Sequence, residues 1–446
     1  MRKLALFRFV FLWSRWLRER LTPAGMIIVA LTSFAGAFGV DTQSNLAHMV
    51  FALGGSLVAV DAVTVFLMRR RAPRLTVRRH LPEFVTCGEP ARYRIEVRNE
   101  GPSPAPSCRL VEQMHQPWPS PASMQHHRSQ SGTNRFDRQV GYPAFLDTLR
   151  RLRVFDVARI DVPALLAGQR ADIDVPVQAS ARGLAAFQRL WLVMAGPLGV
   201  VEARVPVTAT EATLPVLPIR LPVEIPPASS HRLLQPGGIS LAQHVGDTEE
   251  FRSLRDYRPG DPMRAIHWRS FARTGKPLVR EFQEEFFSRH ALVLDTAAAY
   301  PFAPAFETAV SMAAWLVARP HDADSLLDLM FVGDRVHRLT AGRGLGGADS
   351  LLRILASVAP SPAESIEPLL ATLERNAAQV SSLVAIFLVW DEPRQNAVRR
   401  LLARGIRPTV LVVEEHGVAP ADEDAGFAGI LRRVAVPAPH PAMQTA

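Results

Sequence analysis

Cysteine is nearly missing from this chain of 446 residues: Cys87 and Cys108 are the only two. Two thiols make neither a disulfide framework nor a four-cysteine metal site, and in a reducing compartment they stay free. Net charge is missing from most of the chain as well. Residues 1–79 hold 12 basic residues and three acids, Glu19, Asp41 and Asp61, while the remainder carries 39 of each sign. The formal +9 of the whole protein therefore belongs to its first segment alone. A nucleic-acid binder needs a basic face on its folded part, so no nucleic-acid partner is expected. No serine, threonine or cysteine nucleophile stands in a recognisable strained turn, and no catalytic residue and no cofactor are assigned.

Long apolar runs are present, and the basic residues flank them. Residues 24–40 carry no charge, and residues 46–68 carry only Asp61. A spanning helix needs about 17–25 mostly apolar residues, so both runs qualify. The link Asp41–Asn45 is short and polar, which predicts a helical hairpin. Arginines precede the first run and follow the second, so both termini and the soluble domains are expected on the cytoplasmic side. Residues 4–21 mix Phe7, Val10, Phe11, Leu17 and Leu21 with arginines, a pattern suited to a helix lying in the interface. Ala35 and Gly39, four apart, suit a close helix approach. Asp61 reads as a snorkelling side chain or a local ion pair with Arg69–Arg71.

After this anchor, taken as 1–73, the texture changes to short alternating stretches. Ala91, Tyr93, Ile95 and Val97 share one face of a strand, as do Ile173, Val175 and Val177. A β-sandwich-like domain is predicted over 74–215. Its polar, Pro- and Ser-rich stretch near 115–140 reads as an exposed loop, and His126-His127 within it lacks partners at metal-ligand spacing. Residues 216–245 read as a Pro-rich linker.

Residues 246–288 concentrate charge around aromatics. Asp247 and Glu250 suggest a capped helix carrying Phe251 and Leu254. Tyr257–Gly260 is a turn signal. Asp261 followed by Pro262 suggests a second helix, with Met263, Ile266 and Phe271 inward and Gly275 as its stop. Pro277–Phe282 reads as a strand. Arginines beside Tyr257, His267 and Trp268 are the chemistry of an interaction patch.

This segment resembles the signature of the bacterial domain-of-unknown-function 58 family: R-x-Y-x-x-G-D, then R-x-I-H-W, then a strand ending in acids. The matching residues are Arg255, Tyr257, Gly260, Asp261, Arg264, Ile266, His267, Trp268, Glu281 and Glu284. With Arg273 added and Ile266 left out, they form the expected docking signature. The resemblance implies a bacterial inner-membrane protein whose C-terminal part is similar to a von Willebrand factor A domain. It also implies a plausible partner, a MoxR-type AAA+ ATPase.

Residues 289–430 alternate strands and helices, which predicts a doubly wound α/β domain before a tail at 431–446. The von Willebrand A resemblance implies a divalent-cation site beyond the first strand. Here Asp295 remains, but Ala297, Ala299 and Ala348 stand where hydroxyl ligands belong, and Asp391 matches the last acid. Methyl groups cannot complete an oxygen shell, so no metal is expected. Thr296 points away from such a site. The expected role is a non-enzymatic membrane-anchored scaffold. The alternative is an enzyme or weak metal-dependent module using Asp295, Asp391 and His267.

Overall fold

The computed structural model describes residues 2–38, 45–121, 123–124, 135–155, 157, 159–225, 235–236, 250–259, 261, 263, 266–283, 286–298, 300, 303–319, 325–342, 346–361, 366–376, 380–415 and 426–437. Three helices open the chain: α1 (Arg2–Arg20), α2 (Pro23–Phe38) and α3 (Asn45–Arg70). Thr22 caps α2, accepting the Gly25 N–H at 2.9 Å ahead of a proline at the first helical position. Among the described residues, α3 is the one helix long and apolar enough to cross a membrane. α2, with 16 residues, is shorter than that. The two helices meet where side chains are absent. A Cβ on Gly54 would lie 2.1 Å from Thr32 Oγ1, and one on Gly36 2.9 Å from the Phe51 ring. Ala35 is buried, whereas Gly39 lies outside the described residues.

The β-rich region comprises β1 (Leu75–His80), β2 (Val85–Thr86), β3 (Pro90–Asn99) and β4 (Cys108–Met114), then helices α4 (Arg135–Val140) and α5 (Tyr142–Arg151). β5 (Ile160–Val162), β6 (Arg170–Gln178), β7 (Gly183–Ala195), β8 (Glu202–Ala209) and β9 (Ala212–Leu217) complete it. Nine strands form one sheet ordered β2-β9-β7-β8-β1-β3-β6, with β4 on β7 and β5 on β4. The wing β1-β3-β6 and the wing β4-β7-β9 bury a shared core. Tyr93, Ile95 and Val97 from one wing meet Leu110, Phe187 and Leu214 from the other. This alternation is the one expected for β3, with Ala91 only partly covered. Both cysteines are free, and burial pushes the Cys87 thiol up to about 12 and Cys108 up to about 11. Both therefore stay protonated and unreactive.

The stretch near 115–140 is not simply an exposed loop: Ser123 and Met124 are buried and Arg135–Val140 form α4, just ahead of α5. Tyr142, Phe145, Leu146 and Leu149 recur at helical spacing, and α5 buries Phe145 and Leu149 against Phe11 of α1. Residues 125–134, including His126 and His127, lie outside the described residues.

Asp61 departs from its expected role. It is fully buried, and the turn between β7 and β8 folds over it. Its carboxylate accepts the N–H groups of Leu198, Val200 and Val201 at 3.0, 2.9 and 2.8 Å. A Cβ on Gly196 would stand 2.4 Å from its Oδ1, so the turn needs glycine there. Gly199, at φ 67°, supplies the left-handed residue of the same turn. Thr22 donates to the Gly199 carbonyl from the other side, and its N–H reaches the Val200 carbonyl at 3.1 Å. The helices and the sheet are thus joined, with no free tether between α3 and β1.

The C-terminal region holds β10 (Gln235–Pro236), β11 (Glu250–Asp256), α6 (Trp268–Thr274), β12 (Leu278–Gln283), β13 (Phe286–Leu294), α7 (Pro304–Ala318), β14 (Ser325–Val332) and β15 (Val336–Ala341). α8 (Ala348–Ser357), α9 (Ile366–Asn376), β16 (Ser382–Phe387), α10 (Glu392–Ala403), β17 (Thr409–Glu414) and β18 (Leu431–Ala435) follow. The main sheet runs β15-β14-β13-β16-β17-β18, with β10 also on β13. Neighbours are parallel except for β15 on β14 and β10 on β13. Alternate residues of β13 serve opposite faces. Leu292 and Leu294 face the core with α7 and α8, and Ala291 and Val293 the core with α9 and α10. This is a doubly wound α/β arrangement, as the alternating pattern predicts, but it extends past the expected boundary at 430, since the start of the expected tail supplies edge strand β18.

Part of the expected linker belongs to this fold. Val223 enters the α7–α8 core, and the Leu221 N–H bonds to the Ser311 carbonyl at 3.1 Å. Arg182 fastens the β-rich region to the C-terminal region. It pairs with Glu307 at 2.8 Å and donates to the carbonyls of Leu355 and Val358, at 2.6 and 3.0 Å, where α8 ends. A guanidinium there complements the negative helix end.

Candidate functional site

The described signature residues lie on and between the strands of a two-stranded hairpin, separate from the main sheet. β11 pairs antiparallel with β12 from Glu250↔Gln283 to Asp256↔Leu278. The expected capped helix over Phe251 and Leu254 is therefore a strand. Cross-strand pairing with a segment distant in sequence overrides the local capping pattern. Asp247 lies outside the described residues.

Asp261 does not cap a helix either. Its two oxygens are held by Arg255 in a bidentate pair, both at 2.7 Å, and one also accepts the Arg258 N–H at 2.9 Å. The Arg255 hydrogen bonds, helped by the Arg258 N–H, hold the Asp261 pKa down to about 2. A carboxylate depressed in this way supports the folded turn above its ordinary pKa of 3.8. That support disappears as pH falls through about 2. Amide exchange at Arg258 should accordingly stay slow through mildly acidic pH and accelerate only in strong acid. Acceleration near pH ~4, the ordinary carboxylate range, would contradict the pairing.

The helix itself begins at Trp268 and ends with Gly275 at φ 69°, the expected stop. His267 occupies its N-cap, with Nδ1 2.6 Å from Ser270 Oγ, and its own N–H bonds to the Leu278 carbonyl. Ile266 is buried next to Val279, as expected for an inward residue. Met263 and Phe271 are not inward. They stand exposed with Trp268, and α6 buries none of its own side chains. The Trp268 and Phe271 rings meet edge to face, 6.0 Å between centroids. Tyr257 is half-buried, with its N–H on the Pro277 carbonyl, and Arg273 is exposed. Gly260, Arg264 and Glu284 lie outside the described residues, as does the side chain of Glu281. Met263, Trp268 and Phe271 are thus three exposed large apolar side chains, and Arg258, Arg269, Arg273 and Lys276 are exposed in the same segment of the chain.

The second region lies at the carboxyl end of β13. The sheet order diverges there, with β14 on one side and β16 on the other, the usual ligand crevice of such folds. Asp295 follows β13 directly and is completely buried. Its Oδ1 accepts the Ala297 N–H at 2.9 Å, and its Oδ2 accepts Arg394 Nε at 2.9 Å and the Leu388 N–H at 3.2 Å. A second Arg394 nitrogen lies 2.7 Å away. The third arm of Arg394 binds Asp391, which also caps α10 through the Arg394 N–H. Burial works against the guanidinium charge, but Asp295 and Asp391 outweigh it and raise its pKa.

These residues do not fit a divalent cation. Both carboxylates are committed to one guanidinium. The neighbouring hydroxyl of Thr296 is turned toward the Val332 carbonyl and Ser361 Oγ, each at 2.8 Å. Ala297 is partly exposed, Ala348 opens α8, and Ala299 lies outside the described residues. His267 stands on the hairpin with Ser270 and does not join the Asp295–Arg394–Asp391 cluster. Sequence reasoning missed Arg394. The available signal was its i, i+3 spacing from Asp391, which by itself indicates only a helix-surface pair.

Residues 253–423 match the family described as "Protein of unknown function DUF58". No curated protein matches the chain. Among solved structures, the chain is similar to the CARDB domain of a Pyrococcus furiosus protein in complex with di-metal ions. That match has 12% identity and a TM-score of 0.17, over 31% of this chain and 90% of that one. A PapD-like domain of human CEP192 matches with 9% identity and a TM-score of 0.18, over 33% of this chain and 87% of that one. The native α-2-macroglobulin of E. coli matches with 14% identity and a TM-score of 0.17, over 33% of this chain and 7% of that one. Scores this low transfer neither fold nor function.

Proposed function

Residues 253–423 match the DUF58 family, and on that premise we propose that the chain is a non-enzymatic scaffold. It is anchored in the bacterial cytoplasmic membrane by the α2–α3 hairpin and docks a protein partner through the face of α6. The observation that carries this reading is the exposure of Met263, Trp268 and Phe271 in an arginine-rich segment whose turn is braced by the Arg255–Asp261 pair. Apolar anchors ringed by charge are how protein interfaces concentrate binding energy. The family resemblance makes a MoxR-type AAA+ ATPase the partner class to test. The enzymatic or metal-dependent alternative would have to displace Arg394 first.

The test is co-purification of the detergent-solubilised protein from its native membrane with ATP present. A stoichiometric ATPase that is retained by the unaltered chain and lost from Trp268→Ala is the expected result. Truncating an anchor of this kind costs about 2 kcal/mol or more, roughly thirtyfold in affinity. A protein that elutes alone, or a partner indifferent to Trp268→Ala, would refute docking at this face.

A further inference from the structure

Helix α1 has two apolar faces, and among the described residues only one is covered by protein. On the inner face Phe7 and Phe11 meet Tyr142, Phe145 and Trp118, with ring centroids 5.5 Å apart for Phe7–Tyr142 and 6.0 Å for Phe11–Trp118. The Arg8 guanidinium lies 5.1 Å over the Trp118 ring. At its far end the Glu19 carbonyl accepts Arg204 of β8 at 2.8 Å. Trp118 and α5 therefore form the cradle of this helix.

The outer face is the unusual one. Leu6, Phe9, Trp13 and Trp16 recur at spacings of three and four and are 57%, 64%, 55% and 45% exposed. Phe9, Trp13 and Trp16 stack in a row with centroids 6.4 and 5.5 Å apart, and Arg20 lies 4.7 Å over Trp16. Lys3, Arg18 and Arg20 are exposed on the same helix, as are Arg69, Arg70 and Arg71 where α3 ends. Such a row of large apolar side chains in water is costly. The chain runs from this helix directly into the apolar α2. Tryptophans with flanking bases match the interfacial zone of an anionic bilayer, where indoles settle at headgroup depth and cations meet lipid phosphates.

We propose that the cradle of Trp118 and α5 holds α1 flat on the membrane, with the row from Leu6 to Trp16 sunk into the headgroup–acyl boundary of an anionic leaflet. This gives the protein a second membrane contact beside the hairpin. The proposal rests on the membrane-anchored reading above.

The experiment uses the full chain, with both cysteines replaced by alanine, in nanodiscs of phosphatidylcholine and phosphatidylglycerol. One spin label is placed at Phe9→Cys and another, in a separate sample, at Phe51→Cys on α3. Relaxation by oxygen and by an aqueous nickel chelate reports the depth of each. Expected is a lipid-exposed Phe9 label at a depth of about 5–10 Å, shallower than the Phe51 label. Phe145→Ala, which opens the cradle, should shift the Phe9 label toward water and leave the Phe51 label where it was. A Phe9 label in water beside a Phe51 label in lipid would overturn the proposal and leave the anchor standing. A Phe9 label shielded from both reagents would mean that protein covers the face, and would overturn it equally. Both labels in water would refute the anchor and the proposal together.

Discussion

Replacing Asp61 with leucine leaves the N–H groups of Leu198, Val200 and Val201 without an acceptor in a site closed to water. Each buried unpaired donor costs about 1–3 kcal/mol, so the joint between helices and sheet should lose on the order of 3 kcal/mol or more. The expected result is a lower unfolding midpoint in detergent and new proteolytic cleavage in the β7–β8 turn. Asp61→Asn should fall between, because its oxygen still accepts while its amide nitrogen faces N–H groups. Gly196→Val should reproduce the defect from the other partner, since its Cβ would collide with the carboxylate. An Asp61→Leu protein that melts with the unaltered chain would show that this contact carries no stability. The same argument explains why so costly a residue is kept in an apolar helix. Its charge is spread over three backbone dipoles and needs no mobile counter-ion.

Arg394→Ala should be comparably severe, and informative in a different way. It leaves Asp295 fully buried with only two backbone donors, the situation in which breaking a buried ion pair costs about 3–5 kcal/mol. Denaturant unfolding of the soluble region measures this directly. Removing both partners, with Asp295→Leu and Arg394→Met, should recover most of the loss, because an apolar pair of similar size is nearly neutral there. Freed of the guanidinium, Asp295 and Asp391 offer oxygens to a cation. Millimolar Mg²⁺ should raise the midpoint of the Arg394→Ala protein and leave the unaltered chain unmoved, since a ligand stabilises only the state that binds it. If Mg²⁺ stabilises the unaltered chain as well, Arg394 is displaceable and the crevice is a cation site after all.

The parts of this protein legible in its sequence are those written in local period. Tyr93, Ile95 and Val97 alternate in and out because a strand side chain changes face at every residue. The runs that became α3, β13 and β16 were recognisable because their length and apolarity leave few other structures. Gly275 ended α6 as expected because a left-handed residue with no Cβ is a local requirement. At the candidate site the aromatic and arginine content was also plain, and the signature motif marked it.

What tertiary structure decided was every choice between a local partner and a distant one. The Glu250 capping pattern lost to a strand partner at Gln283. Asp261 took Arg255, six residues back, in place of a helix end. Met263 and Phe271 follow helical spacing, yet the helix starts only at Trp268 and leaves both outward. Asp61 passed over the nearby Arg69–Arg71 for three amides of the distant β7–β8 turn, because only a turn pressed against it excludes water. Asp295 found its cation 99 residues later on another helix. Composition and periodicity specify which residues avoid water, since that preference is carried by each side chain alone. Which buried charge meets which donor depends on the chain crossing, and no local pattern contains it.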